Sequence, residues 1–474
     1  MTLERPVKPF ETSGTFWLPA APARRIPGRL DVGRDGVTLT LYDSLREFVM
    51  PENQSVSVDP ERLTEALVFG HLPDRNEDVT LRQVEGIVIP GPSQTQTEIF
   101  EASSALLGGH STADVTSRLR VDFDVLRSWA GPSPIASRGA GQTVIADVEE
   151  AVLHETTYDD RTIRLVARAE GEWGDDIHLE RRTFIEVEGN DVPLTEVFSS
   201  WIRPIHDLLI LCVGRRVLVT EVRVEADVEF GPRKFLTMHT QVIQPEPSAE
   251  LSTPRVREDT APTLLLPDDQ RLPFRDFVPA WLTLRADLLD TVVQLCAPYY
   301  ASFIYSEHRY GSTFQAAEAL ARARFGSREL AKADHKARVE SVLVPARDAG
   351  VEQGVLDWAE RVLASRNDRP LRDLIGDLLR DSGLFTPEQC EELGPRMASA
   401  RAGVSHGGAN VTPTMTRYWL GQTLQWVVRG YLVRELGFPP EVVKRRIARN
   451  PAFRRALGEA LGGQLDAARP NSDV

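Results

Sequence analysis

The feature that most constrains this chain is a change of period. Up to about residue 243, apolar and polar residues alternate in short runs. After Phe274 the apolar residues recur every three or four positions, and the strand pattern does not return. A period of two builds half-buried strands and a period near 3.6 builds amphipathic helices, so one packing scheme cannot serve both parts. The expected fold is α+β and multidomain. It has a β-rich N-terminal domain over 1–243, a proline-rich connection over 244–273, and an all-α helical bundle over 274–474. The connection carries six prolines among small polar residues.

Within the first part, Arg29–Tyr42 reads as a hairpin, two alternating runs around Gly-Arg-Asp-Gly. Further strands are expected at 55–58, 86–89, 119–123, 143–148, 162–167, 183–187, 218–228 and 234–242. One helical pattern intrudes at Leu194–Val213, and Pro204 is expected to kink or split it. The second part predicts helices over 277–296, 299–325, 328–344, 350–366, 370–383, 387–405, 413–437 and 440–461. Asn450-Pro451 divides the last of these.

Composition removes several classes. The chain has 474 residues, 42% of them hydrophobic and 26% charged, which is too apolar for wholesale disorder and long enough for several cores. The most apolar run, Asp207–Thr220, is broken by Gly-Arg-Arg and falls short of the roughly 20 residues a membrane span needs. The opening residues hold no apolar leader, so neither secretion nor a membrane location is expected. Cys212, Cys296 and Cys390 lie far apart, which fits a reducing cytoplasm rather than a disulfide scaffold or zinc ribbon. Net charge is −14, but residues 274–474 hold 27 basic and 24 acidic residues. The acidic excess therefore lies in the N-terminal part, and a polyanionic partner belongs to the C-terminal one.

The chemistry gathers at Arg401-Ala-Gly-Val-Ser-His406. Histidine titrates near neutral pH and can take the proton of a ribose 2′-OH or give one to a leaving 5′-oxygen. Arginine clamps the phosphate and stabilises the extra charge of the pentacovalent state. With the 2′-OH as nucleophile no metal or other cofactor is required. Positions five apart on a straight helix point about 140° away from each other, so the helix is expected to end or unwind just before His406, where Gly403 and Gly407 permit it. The spacing alone is weak: with 50 Arg and nine His, roughly one such pair is expected by chance.

Context adds to it. Phe303–Phe325 (with Glu318-Ala-Leu320), then Arg401–His406 and Gly407, then a long helix carrying Tyr418, Trp419, Trp426 and Tyr431, resembles the HEPN family and in particular the HEPN domain of ApeA-type proteins. Gly14-Thr-Phe-Trp-Leu-Pro19, Ile26-Pro-Gly-Arg-Leu30 with its hairpin, and Phe123–Trp129 resemble the ApeA N-terminal domain. The resemblance implies an antiphage abortive-infection effector whose HEPN domain is a metal-independent endoribonuclease cutting tRNA in the anticodon region. It implies a homodimer or higher homo-oligomer with a composite site, and restraint until a phage-derived trigger arrives. Arg401 and His406 are then the catalytic pair, with Glu318 and Ser405 as possible supports. Many active members carry Asn, Asp or His directly after the Arg, where this chain has Ala402. The alternative is a catalytically inactive HEPN-like bundle that dimerises or binds RNA.

Other residues have plainer readings. Lys444, Arg445 and Arg449 are candidates for RNA phosphates or for a solvated helix face. Trp419, Trp426 and Tyr431 can stack on bases, but such spacing belongs more often to a core or seam. Tyr305, His308 and Arg309 read as surface, Trp17 and Trp129 as core, and His154, Glu155, Asp159 and Asp160 as a solvated loop.

Overall fold

The computed structural model describes residues 9–33, 36–46, 62–90, 96–130, 150–172, 178–240, 263–300, 304–406 and 412–462. It separates into two compact units, 1–279 and 280–474.

The first unit is built on strands β1 (Phe10–Trp17), β2 (Ile26–Gly33), β3 (Gly36–Leu41), β4 (Arg62–Leu72), β5 (Glu77–Pro90) and β6 (Gln96–Leu107). These pair antiparallel in the order β3-β2-β1-β4-β5-β6, and β6 pairs back onto β3, so the six form a closed ring. Closure removes free edges and lets one set of side chains fill the interior. β2 shows why: Ile26, Gly28, Leu30 and Val32 are buried while Pro27, Arg29 and Asp31 face out. Phe16, Leu39, Val68, Leu81 and Phe100 join them in the core.

The Phe16 ring needs room, and glycines provide it. Gly70 pairs with Phe16 across β1 and β4, and a Cβ there would lie 2.5 Å from the ring. A Cβ on Gly14 or Gly28 would come within 3.3 Å of the same ring.

The sheet does not stop at the ring. It continues through β7 (Val115–Phe123), β8 (Ala151–Tyr158), β9 (Arg161–Glu172), β10 (His178–Pro193), β11 (Val219–Ala226) and β12 (Lys234–Thr240), in the order β6-β12-β11-β7-β10-β9-β8. Strand β6 belongs to both parts. Its residues 98–102 pair with β3 and its residues 104–107 with β12, so it changes partner at Ser103. A one-turn helix α1 (Leu126–Trp129) follows β7, and α2 (Arg203–Val213) is buried from Pro204 to Val213. The apolar run at 207–220 is therefore the body of a core helix leading into β11. A π-helical turn at Phe198–Ile202 precedes α2, and Pro204 stands in its first turn, where a missing N–H costs nothing.

The sheet face carrying alternate residues of β7, β10 and β11 is charged. Glu186 is buried and accepts hydrogen bonds from Arg118 (2.9 Å), Arg120 (2.8 Å) and Arg164 (3.1 Å). Burial alone would raise its carboxyl, but Arg118 and Arg120 hold it below the ordinary value. Asp122 is the opposite case. Burial, and then the Glu221 carboxylate facing it across the β7–β11 pair, push it up to about 7. An acid whose folded pKa lies above its unfolded one binds the proton more tightly when folded, so stability falls as pH rises from about 4 to about 7. Asp122→Asn cannot ionise. Urea midpoints should show the variant gaining on the parent chain between about pH 5 and about pH 8, by up to a few kcal/mol.

The second unit is helical, as the period predicts. Helix α3 (Phe274–Asp287) leads into it, followed by α4 (Leu289–Tyr300), α5 (Ser306–Phe325), α6 (Lys332–Asp348), α7 (Gln353–Ala364) and α8 (Leu371–Ser382). Then come α9 (Pro387–His406), α10 (Thr414–Glu435), α11 (Pro440–Arg449) and α12 (Pro451–Ala460). Helix α5 packs on α4, α8 and α10, while α6 and α7 pair with each other around Val339, Leu343 and Leu356. The expected split at Asn450-Pro451 is present: the Asn450 side chain accepts from the Ala452 and Phe453 amides and caps α12.

Several expectations change. The stretch 277–296 is two helices, α3 and α4, rather than one. Strands β1, β4, β6 and β8 were not expected. His154 and Glu155 lie in β8, not in a solvated loop, because His154 stacks on Phe274 at 5.7 Å and the strand pairs with β9. The strand expectations at 55–58 and 143–148 lie outside the described residues, as does 244–262 of the connection. Its remainder is not a loose linker: Leu264 and Leu265 are buried, and the Leu264 amide donates to Cys212 O at 2.8 Å.

Candidate active site

Helix α9 carries the candidate pair at its C-terminal end. Cys390, Leu393, Met397 and Ala400 form its buried stripe, at helical spacing. Arg401 follows directly and is half-buried. The helix does not end before His406, as the 140° argument expected; it runs through it. Gly403 costs a helix only about 1 kcal/mol against alanine, and a well-packed stripe one turn earlier outweighs that. The side chains of Ala402, Ser405 and His406 lie outside the described residues, as do residues 407–411.

The turn bearing Arg401 is fixed from two neighbouring helices. On α5, Tyr310 is buried and its hydroxyl donates to the Met397 carbonyl at 2.6 Å. In a regular helix that carbonyl is also the acceptor for the Arg401 amide, so the bond pins the turn that presents Arg401. On α10, Gly421 passes over the Tyr310 ring, where a Cβ would lie 3.0 Å from Cδ2. Burial raises the Tyr310 pKa far above its usual value, against the pull of Arg417 and Arg401. The hydroxyl therefore stays protonated and able to donate, with the Arg401 charge close enough to act on it.

A second arginine stands at this end of the bundle. Arg417, buried in the first turn of α10, donates to Thr412 O at 2.8 Å and to Glu307 Oε1 at 3.4 Å. Glu307, in the first turn of α5, is held below the ordinary carboxyl value by its own backbone amide and the Ser306 hydroxyl, then by Arg417. Pro413 is the extended cap residue and α10 begins at Thr414, one position after the expected start at 413, with the Arg417 guanidinium on the Thr412 carbonyl.

Glu318 stands elsewhere. It lies eight residues beyond Tyr310, about 12 Å along α5, and accepts two bonds from Arg322 of the same helix at 2.9 and 3.0 Å. This is an ion pair within one helix. Trp426 and Tyr431 are buried in the core, while half-buried Trp419 carries Arg455 above its ring at 5.2 Å. Tyr305 and His308 are exposed, edge to face at 6.0 Å. Lys444, Arg445 and Arg449 are exposed on α11, whose other side buries Val443 and Ile447. Trp17 and Trp129 are core residues. Among the described residues no helix is long and apolar enough to cross a membrane.

Sequence reading missed Glu307, Tyr310 and Arg417. Arg417 left a signal: it sits on the stripe that continues through Leu420 and Leu424, and a charge on a core stripe needs a buried partner.

The family model for ApeA N-terminal domain 1 matches residues 11–256, more than half of the chain, and that for Apea-like HEPN matches residues 312–442. The second span contains Glu318, Arg401, His406 and Arg417. Neither a curated protein nor a solved structure matches the chain.

Proposed function

The chain belongs to the ApeA family, and on that premise we propose that it is an antiphage endoribonuclease whose catalytic pair is Arg401 and His406. The observation that carries this is the setting of the pair. Both lie on the last turns of α9 inside the HEPN span, with the Arg401 turn pinned by Tyr310 and Arg417 close by.

His406 takes the proton of the ribose 2′-OH, the 2′-oxygen attacks the adjacent phosphorus, and the P–O5′ bond breaks as the 5′-oxygen takes that proton from the imidazolium. Arg401 stabilises the charge that gathers on the phosphoryl oxygens. Because α9 is helical through His406, positions 401 and 406 lie about 140° apart around its axis. A phosphate between them is best met by two copies of α9, each contributing residues, so the working unit is a homodimer or a multiple of it. The substrate is tRNA cut near its anticodon, and no metal takes part. The N-terminal domain, over 1–243, restrains the nuclease until a phage product is sensed. The site of action is the cytoplasm, consistent with three buried cysteines that carry no disulfide.

The test is cleavage of total tRNA in EDTA, with end mapping. Cyclic 2′,3′-phosphate ends lost in Arg401→Ala and His406→Ala carry the proposal. Phage protection that survives both substitutions overturns it in favour of the second reading, a catalytically silent dimerising or RNA-binding bundle, which Ala402 favours.

Lys444, Arg445 and Arg449 supply a separate prediction. If they meet RNA phosphates, replacing all three by alanine should weaken tRNA binding and flatten the plot of log affinity against log salt by about 2–3. An unchanged slope assigns them to a solvated helix face.

A further inference from the structure

The place where β6 changes partner leaves a gap. Its pairing with β3 ends at Ala102 and its pairing with β12 begins at Ser104. Across the other edge, the β5 ladder is interrupted at the same level. Arg82 pairs with Ser104 and Val84 with Ala102, while Gln83 between them adopts φ 47°. A left-handed residue that is not glycine is strained, and such strain persists where the surroundings require it. Beside this break lies a cavity of about 490 Å³, within the range of small-molecule sites. Met238, Phe198 and Ile202 line it with apolar surface, and Arg82, Gln83 and Ser103 add polar groups.

Arg82 and Asp114 both line the cavity. Arg82 is buried, with one guanidinium nitrogen donating to Ala113 O at 2.8 Å and another to the Asp114 carboxylate. The partners are unequal: the Asp114 side chain is 83% exposed and the Arg82 side chain 10%. The aspartate stays largely solvated, so it loses little on leaving, whereas the guanidinium cannot be left unpaired. Asp114 is thus a replaceable oxyanion at the edge of a partly apolar cavity.

We propose that this cavity binds a small amphiphile with an apolar body and one oxyanion head, carboxylate or phosphate monoester, the head displacing Asp114 from Arg82. The site lies wholly in the N-terminal unit, and the inference does not depend on the nuclease reading.

The experiment uses the full chain and two fluorescent probes of the same body, 8-anilinonaphthalene-1-sulfonate and its uncharged counterpart N-phenyl-1-naphthylamine. The sulfonate should bind saturably. Arg82→Ala should weaken it about 10- to 100-fold, the usual range for a charge-assisted bond. Asp114→Ala should tighten it roughly 3- to 10-fold by removing the competing oxyanion. The uncharged probe should respond to neither, and Ser103→Trp, which fills the cavity, should weaken both. Octanoate and octyl phosphate should displace the sulfonate, and the stronger of the two names the head group. Non-saturating binding overturns the proposal. So does a sulfonate affinity that ignores Asp114→Ala, or an equal response of both probes to it. Asp114 is exposed, so that arm decides the matter even where Arg82→Ala fails to fold.

Discussion

Arg401→Ala is expected to abolish tRNA cleavage. Removing a group that stabilises transition-state charge costs about 10²- to 10³-fold, and removing a general acid or base about 10²- to 10⁴-fold. His406→Ala should therefore be at least as damaging. The double variant should be hardly worse than the worse single one, because residues that act as a unit do not add. Mixing the two single variants gives a sharper readout. If each copy of α9 completes the other's site, heterodimers restore part of the activity that neither variant has alone. Should the mixture stay silent while wild type cleaves, the pair acts within one chain, and α9 must open beyond what its helical end suggests.

The second large effect concerns the barrel. Phe16→Ala empties a fully buried ring position and should cost about 3–5 kcal/mol. For a unit of this size that lowers the melting temperature on the order of 10 °C. Gly70→Ala acts from the other side: its Cβ would meet the Phe16 ring at 2.5 Å, and overpacking of this kind costs about 1–3 kcal/mol. Combined with Phe16→Leu, Gly70→Ala should cost less than the sum of the two, since the smaller side chain vacates the space the methyl needs. Calorimetry on the four proteins decides this. Strict additivity would mean that the ring and the glycine do not share that space.

Much of the architecture was legible. The change of period at Phe274, the hairpin of β2 and β3, and the division at Asn450 are local signals carried by alternation, helical spacing and a capping residue. Barrel closure was not, because it rests on β4 and β6. Their apolar residues are interrupted by Thr-Glu-Ala in one and Ala-Ser-Ser-Ala in the other, and small residues do not declare a face. The site divides in the same way. Arg401 and His406 are near neighbours and could be read together. Tyr310 reaches Met397 over 87 positions and Arg417 reaches Glu307 over 110, distances at which no local pattern survives. The end of α9 departs from expectation because the buried stripe that precedes Gly403 holds the helix together.

The pairing of β6 with β12 also sets an order of assembly. Ser104 must wait for Thr240 before the sheet is complete, a span of 136 residues, so the N-terminal unit has high contact order. The helical unit also relies on distant contacts, Tyr310 with Met397 and Glu307 with Arg417, but all of its residues are made after Thr240. At roughly 5–20 residues per second, Arg401 leaves the ribosome about 8–30 s after Thr240, while a β-rich domain needs milliseconds to seconds. The N-terminal unit therefore has time to fold before Arg401 has been made. On the ribosome, timing alone favours nascent chains in which the N-terminal unit has folded before Arg401 emerges.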